Sequence, residues 1–528
     1  MYPILNENDY ISVMEDLVRM PDGVGLYTRS IVPKGRETYP IVFQRTPYAK
    51  ALSGVPCSLE EYVENAFVQN GYALVIQHCR GTGDSEGICI PYENEREDGL
   101  VTLDQIRKFP FYQGEIYVCG ESYLATVHLS YFDTNPVDIK GAALSIQTDR
   151  MYFRNYRNGC CYNFCNLDWW LSMMKRSYPT ADKNERIHRP YKDIMKRIVG
   201  EDVPQYTAGL MNDTNNAFWQ DDPRTRSMDK LDIPILLTEG WYDFYIQGMF
   251  EMWERLPKKT KEKSALVVGP WGHWTRVSQK AEYPFPNGNV VSDYAVEWFN
   301  SIRTGTPYKY AKCGKVNYYS IGGDEWSTTE YPGTAGEEKQ FQRLYFGCRN
   351  TLTQIPGTSG ELSYTYDPSL RLDCFPYHDI FKAKPMGVVE GVLSFQTEPF
   401  VKKIDFFGKI RWHMYVKTNC EDTAFFIRIY FTEGEGAYNL TETITSLSCI
   451  DKNYQAGERI LIDVETPPIA FTVKEGGCIR VDIASDGGIY VPHANIKGHW
   501  AEVIEERVAV NTVICDEEAY IEYRVVSV

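Results

Sequence analysis

At 528 residues the chain is too long for one ordinary hydrophobic core, so two or three domains are expected, and 43% hydrophobic content with 38 Tyr and 11 Trp excludes a disordered protein. A formal net charge of −16 with no long basic tract argues against nucleic acid, whereas anionic substrates are disfavoured only weakly because active-site fields are local. No apolar run reaches the ~18 residues that cross a bilayer, so no membrane partner is expected.

Met1 to Tyr10 is polar, carries two acidic residues and lacks the positive start and apolar stretch of a secretory signal. The 14 Cys are scattered, which suits reduced thiols in the cytoplasm, the expected location, better than a disulfide scaffold. Zinc ligation by Cys160, Cys161 and Cys165 lacks a C-x-x-C pair and a nearby His, so no metal is expected.

In chain order, Ile11–Met14, Gly25–Arg29 and Tyr39–Gln44 read as short strands between turn residues. A helix is predicted over Leu59–Gln69, ending near Gly71, then a strongly apolar strand over Tyr72–Gln77, and a helix over Asp98–Lys108 before Pro110. The run Ile116-Tyr117-Val118-Cys119 stops at Gly120, Ser122 follows, and a helix-competent run starts at Leu124. Strand, sharp turn and helix with a hydroxyl at the apex is the form a nucleophilic serine needs, although Leu124 stands where G-x-S-x-G has its second glycine. A buried serine in an ordinary strand-to-helix turn is the alternative.

Ala142–Ser145 reads as another buried strand. From 147 to 229 the texture turns to Arg, Tyr, Trp, Asn and Met, with helical pieces over Asp168–Lys175 and Pro190–Ile198. The βα pattern resumes with strands at Ile233–Thr238 and Ala265–Val268 and helices over Gln247–Leu256 and Ser292–Ile302. Lys258 to Lys263, the densest basic run, reads as a solvated loop. Continuous apolar strands alternating with helices predict a parallel sheet covered on both faces, with 147–229 inserted over its carboxyl edge as a cap. Beyond about 336, strands at Ser363–Tyr366, Gly391–Phe395, Ile410–Val416, Phe425–Phe431, Cys478–Ile483, Ala501–Ile504 and Ala519–Val526 suggest a β-sandwich or jelly roll. Packing against the catalytic part is its expected role; sugar binding is the other.

A serine attacks a carbonyl well only when a positioned base takes its proton, and in α/β-hydrolases the acid and then the His follow it in sequence. Of eight His, His78 precedes the serine, His128 lies on the following helix, His188 is in the cap, and His378, His413, His493 and His499 are in or near the β-rich region. His273, in Gly269-Pro270-Trp271-Gly272-His273-Trp274, remains, just beyond a strand end. Asp243 lies beyond the intervening strand and can accept the His273 Nδ1–H bond. Its alternative is to cap the next helix. Glu239 is a rival held closer to the strand, where the sheet edge can trap it, and Asp232 precedes the strand at the wrong end. An oxyanion hole needs two donors, expected from the Tyr123 backbone N–H and the Tyr48 phenol of Arg45-Thr46-Pro47-Tyr48; a tyrosine packed on the cap is the alternative for Tyr48. Arg80-Gly81-Thr82-Gly83-Asp84-Ser85-Glu86-Gly87 lacks the Lys-Ser/Thr ending of a phosphate loop and reads as a tight buried loop in which Arg80 can pair with Asp84.

Taken together, these elements resemble the cocaine esterase and X-prolyl dipeptidyl aminopeptidase (CocE/NonD) group of α/β-hydrolases, which includes α-amino acid ester hydrolases and glutaryl acylases. Arg45-Thr46-Pro47-Tyr48 resembles its R-x-P-Y oxyanion element, Arg80 to Gly87 its R-G-x-G-x-S-x-G loop, and Gly120-Glu121-Ser122-Tyr123-Leu124 its nucleophile element. Gly240-Trp241-Tyr242-Asp243 and Gly269-Pro270-Trp271-Gly272-His273 resemble its acid and base elements. The resemblance covers nearly the full length. It implies an α/β-hydrolase core in two parts (1–146 and 230–335), a helical cap (147–229) and a C-terminal jelly-roll β-sandwich domain (336–528). It also implies catalysis by Ser122, His273 and Asp243 through an acyl-enzyme with no cofactor. Ala125 stands where a glycine usually follows the elbow. Phe244-Tyr245 after Asp243 leaves no adjacent carboxylate pair of the kind that holds a substrate ammonium, though Asp221 and Asp222 near Trp219 offer negative charge. The aromatic cap residues Tyr152, Tyr156, Trp169 and Trp170 point weakly to an apolar or aromatic acyl group, and the same residues would also make an ordinary packed cap. The expected reaction is carboxylic-ester hydrolysis, with X-prolyl peptidase or glutaryl-type amide acylase as the alternative. The expected partner is a small-molecule ester, amide or short peptide, and a homo-oligomer is compatible with the chain.

Overall fold

The computed structural model describes residues 4–48, 65–162, 167–174, 188–273, 294–331, 341–370 and 380–525. The strands of the first half are β1 (Ile4–Glu7), β2 (Ile11–Arg19), β3 (Gly25–Pro33), β4 (Tyr39–Thr46), β5 (Ala73–His78), β6 (Tyr112–Glu121) and β7 (Ile139–Ser145). A two-residue hairpin follows, β8 (Tyr156–Arg157) with β9 (Cys160–Cys161), then β10 (Ile235–Gly240), β11 (Ala265–Gly269), β12 (Val316–Ser320) and β13 (Glu325–Thr329). All but the hairpin join one 11-stranded sheet in the order β1-β2-β3-β5-β4-β6-β7-β10-β11-β12-β13.

The sheet is mixed, not purely parallel. The strands β4 to β7 and β10 to β12 pair in parallel, while β1, β2, β3 and β13 pair antiparallel. The antiparallel members sit at the two ends, where β2 and β13 keep residues partly or fully in water. Every residue of β5, β10 and β11 is buried, as continuous apolar strands covered on both faces require. Helices Glu95–Ile106, Tyr123–Leu129, Ile246–Arg255 and Tyr294–Thr304 supply the covering layers. The helix expected from Leu59 is seen only as Ala66–Gln69, since 59–64 lie outside the described residues, as do Ser292 and the boundary at 335/336. Lys258–Glu262 is a short helix, not a loop.

The stretch after β7 carries helices Met151–Asn155, Leu167–Met174, Ile194–Val199, Pro204–Met211 and Ala217–Gln220, with an apolar cluster of its own that includes Tyr156, Trp170, Tyr206 and Trp219. Ala501 belongs to the same cluster, and its carbonyl accepts the Lys192 N–H at 2.9 Å. Ala501–Ile504 is therefore a covering loop, not the strand its apolar character suggests. The C-terminal region is strand-rich, built on a second 11-stranded sheet that contains Arg411–Thr418, Ala424–Glu433 and Ile479–Ala484. It packs directly on the hydrolase core. Trp241, Phe250 and Phe407 share one apolar cluster, the Tyr242 hydroxyl donates to the Asn439 carbonyl at 3.2 Å, and Ser320 and Thr472 hydroxyls meet at 2.9 Å.

Among the described residues no helix is long and apolar enough to cross a membrane. The cysteines among them are free thiols; Cys165 falls outside.

Candidate active site

β6 ends at Glu121 and the next helix opens at Tyr123, leaving Ser122 alone in the turn at φ 54° and ψ −122°. A non-glycine residue pays strain to sit there, which is the mark of a nucleophile elbow. Gly120 makes the turn sterically feasible: a Cβ there would lie 2.3 Å from the Leu124 carbonyl oxygen. Leu124 is tolerated in the second glycine position because Gly120 yields the space, and Ala125 is fully buried against the core. The Ser122 carbonyl accepts from Ala125 and Thr126 N–H at 3.0 and 3.1 Å, so the helix starts at once. The Tyr123 N–H is one of the orphan donors of the first turn.

The acid and base loops are laced together. Trp241 N–H donates to the Gly269 carbonyl at 3.0 Å and Tyr242 N–H to the Trp271 carbonyl at 3.1 Å. Gly240 and Gly269 allow this, since a Cβ on either would fall within about 2 Å of Trp271 atoms. The result brings three side chains from three strand ends into one line. His273 Nδ1 donates to Asp243 Oδ2 at 2.8 Å, which leaves Nε2 to accept from Ser122 Oγ at 3.1 Å. The Asp243 side chain is fully buried, and its other oxygen accepts the Tyr245 N–H at 2.8 Å. Asp243 thus orients the histidine and also ties down the turn into the next helix. The Phe244 ring stacks on His273 at 4.8 Å.

Glu239 does not reach His273. It is wholly buried, one oxygen accepts the Gly240 N–H at 2.9 Å and the other has no hydrogen-bond partner among the described residues. Burial, reinforced by the Asp243 charge, pushes its carboxyl well above the usual range. The remaining described histidines serve elsewhere. His78 Nδ1 accepts the Asp84 N–H at 3.0 Å, and fully buried His128 bonds the Tyr131 hydroxyl at 2.5 Å. His413, His493 and His499 meet Glu518, Asp422 and Asp213, and His188 is exposed. His378 lies outside the described residues.

Tyr48 follows the end of β4 by two residues and is among the polar neighbours of Ser122. The Trp169 Nε1–H donates to its hydroxyl oxygen at 3.2 Å, which leaves the phenolic hydrogen free to point elsewhere. Burial raises the Tyr48 pKa, opposed by that bond and by the Arg154 charge, so the phenol remains a donor across neutral pH. Arg45, three residues earlier, is fully buried and ion-pairs with Glu95 at 2.9 Å. Glu95 accepts the Tyr123 hydroxyl at 2.6 Å, so Arg45, Glu95 and Tyr123 tie the Tyr48 loop to the elbow. Sequence reasoning had no means to find Glu95; the only signal was that a buried arginine demands an acid. Trp169 was visible only as one of several cap aromatics.

The Arg80 to Gly87 loop is structural, but Arg80 pairs with Asp98 at 2.7 Å and Asp22 at 2.6 Å, not with Asp84. Its fork matches the Asp98 carboxylate bidentately, while Asp84 turns toward His78. Asp222, expected to offer negative charge, is held by Arg224. Two cavities flank the site. One of about 80 Å³ lies behind Asp243 and Phe244 against the C-terminal region, and one of about 720 Å³ lies beneath the helical insertion. Neither is lined by Ser122 itself.

Against known proteins, residues 22–275 match the X-Pro dipeptidyl-peptidase (S15 family) model and residues 311–520 the X-Pro dipeptidyl-peptidase C-terminal non-catalytic domain. Cocaine esterase from Rhodococcus sp. (strain MB1 Bresler) is 23% identical over 464 residues, covering 79% of this chain and 80% of that protein. An aminopeptidase from a marine sediment Thaumarchaeota archaeon superposes with a TM-score of 0.82 at 19% identity, over 99% of this chain and 98% of its own. An α-amino acid ester hydrolase does so with a TM-score of 0.81 at 19% identity, over 99% and 98%. With an elbow serine facing a histidine at one sheet edge, an α/β core and a strand-rich C-terminal domain, the chain belongs to the S15/cocaine esterase group of α/β-hydrolases and is a serine hydrolase.

Proposed function

We propose that the protein hydrolyses carboxylic esters through an acyl-enzyme on Ser122. The observation that carries this reading is the unbroken line from Asp243 through His273 to Ser122, with bonds of 2.8 and 3.1 Å. In the proposed cycle His273 Nε2 takes the Ser122 proton as Oγ attacks the carbonyl carbon, and Asp243 stabilises the imidazolium that results. Negative charge on the carbonyl oxygen is met by the Tyr123 N–H and the Tyr48 hydroxyl. The tetrahedral intermediate collapses, His273 gives its proton to the departing alkoxide, and water repeats the sequence to release the acid. No cofactor enters any step. The domain roles follow: residues 1–146 and 230–335 carry the chemistry, 147–229 covers it, and 336–528 buttresses the acid loop through Tyr242 and Asn439.

Amide chemistry, whether X-prolyl peptide or acylated amine, passes through the same intermediates and is the second reading, supported by the X-Pro dipeptidyl-peptidase matches at residues 22–275 and 311–520. Parallel rates on p-nitrophenyl acyl esters, X-Pro-p-nitroanilides and acylated β-lactam amines separate them. Ester kcat/KM exceeding both amide classes is the expected outcome; faster turnover of either amide class would replace the ester reading.

A further inference from the structure

Arg154, on the helix Met151–Asn155, is only 4% exposed yet lines the 720 Å³ cavity beneath the insertion. Its guanidinium carbon lies 4.4 Å from the centre of the Trp169 ring and 5.1 Å from that of Tyr92. Trp169 is the residue that bonds Tyr48, and Tyr92 stacks on Tyr123, so Arg154 stands at the junction of cavity and candidate oxyanion site. Among the described residues its buried Nε has no hydrogen-bond partner and no carboxylate ion-pairs with it. Its polar neighbours are the phenols of Tyr92, Tyr245 and Tyr48.

Among the described residues the other buried arginines each have a carboxylate or another side-chain oxygen as partner. Arg45 has Glu95, Arg428 has Glu442 and Arg480 has Asp482, while Arg157, which also has no carboxylate, donates to the Tyr162 hydroxyl at 3.0 Å and to the Gln247 side-chain oxygen. Half-buried Arg224, which lines the same cavity as Arg154, has Asp222. Ring faces supply some attraction to a cation, but they do not replace a carboxylate for a desolvated guanidinium. A buried charge with no counter-ion among the described residues, in a cleft that reaches the elbow through Tyr92 and Trp169, is a group able to receive one.

We propose that Arg154 is a specificity-determining residue that receives a carboxylate of the substrate, so that the enzyme's preferred substrates are esters or amides bearing an acid group near the scissile carbonyl. This rests on the serine-hydrolase reading of Ser122. It also explains why the departures after Asp243 matter: a fixed positive charge here repels a substrate ammonium as strongly as it attracts an anion. The carboxylate belongs to either the acyl part or the leaving alcohol, and the test separates the two.

The acyl pair is mono-p-nitrophenyl adipate against its methyl ester; the alcohol pair is acetoxybenzoate against methyl acetoxybenzoate. Wild type should favour the anion in one pair, and Arg154→Met should reduce that preference at least about tenfold, as loss of a charged hydrogen-bond partner does. Arg154→Lys, which keeps charge but not the fork, should retain part of it. Preference that survives in Arg154→Met, or wild type favouring the neutral ester in both pairs, overturns the proposal. Calorimetric titration with monomethyl adipate of Ser122→Ala, with and without Arg154→Met, separates this from the catalytic reading. Arg154-dependent binding by a chain whose wild type cleaves none of these esters would retain the anion site and remove the esterase. Neutral-ester turnover with no Arg154-dependent binding would do the reverse.

Discussion

Tyr48→Phe is the substitution that most sharply separates catalysis from packing. The ring stays, so buried apolar area is unchanged, and only the hydroxyl that accepts from Trp169 at 3.2 Å is lost. If that hydroxyl donates to the oxyanion, its bond strengthens only as charge develops, so the loss belongs to kcat. Removal of one such donor typically costs about 2.7–4 kcal/mol, or about 10²–10³ in kcat, while KM should move less than about threefold. Trp169→Phe removes the neutral bond that aims the phenol, worth about 0.5–1.5 kcal/mol, and should slow kcat roughly two- to tenfold. If Trp169 acts by aiming the Tyr48 phenol through that bond, its effect should vanish in the Tyr48→Phe background. Steady-state kinetics of the four proteins on one p-nitrophenyl ester, with thermal unfolding as a folding control, complete the cycle. An unchanged kcat in Tyr48→Phe would refute the oxyanion assignment, and an equal Trp169→Phe effect in both backgrounds would show that Trp169 acts through its other contacts, Arg154 and Tyr123, and not through Tyr48.

Three further outcomes follow from the buried acids and the buried imidazole. Asp243→Asn should leave the fold intact and lower kcat about 10⁴-fold, since the wrong His273 tautomer is then favoured, and pre-steady-state acylation rates would show it. Glu239→Gln should retain activity within a few-fold. Because burial raises the Glu239 pKa, the native state binds more protons than the unfolded one above pH 4.5, and stability falls as pH rises from there. Denaturant titrations should therefore find Glu239→Gln more stable than wild type at pH 7–8, with the advantage shrinking toward pH 4.5. His128 is pushed by burial from 6.5 to about 3, so its contribution is complete above pH 6.5 and is lost as pH falls toward 3. Thermal melts of wild type and His128→Gln should converge over that acid window; parallel curves would remove His128 from the account.

What was legible in the sequence was what local pattern controls. Fully buried strands such as β5 and β11 announce themselves as apolar runs, and the loops at strand ends follow from chain order, so Ser122, Asp243 and His273 could be placed beyond three strand ends before any geometry. What depends on distant packing was not. Arg80 chose Asp98 over the nearer Asp84 because the helix Glu95–Ile106 presents Asp98 across the loop with bidentate geometry. Ala501–Ile504 has strand-like composition, but Ala501 packs into the helical insertion's cluster and Ile504 is exposed, so no ladder forms there. The polar strand Gly436–Ser446 and the antiparallel strands that flank the parallel sheet carry no periodic signature strong enough to orient them. Arg154 and Glu95 matter through the presence or absence of a partner, which only the folded chain displays.

Covalent capture of Ser122 tests the central claim most directly. Wild type, Ser122→Ala and His273→Ala are treated with a fluorophosphonate, and the labelled peptide is read by mass spectrometry. Wild type should carry the adduct on Ser122 and lose ester turnover in step with labelling. Ser122→Ala should take no label while melting like wild type, and His273→Ala should label far more slowly. Equal labelling of wild type and Ser122→Ala, or an adduct on a different residue, would contradict the account.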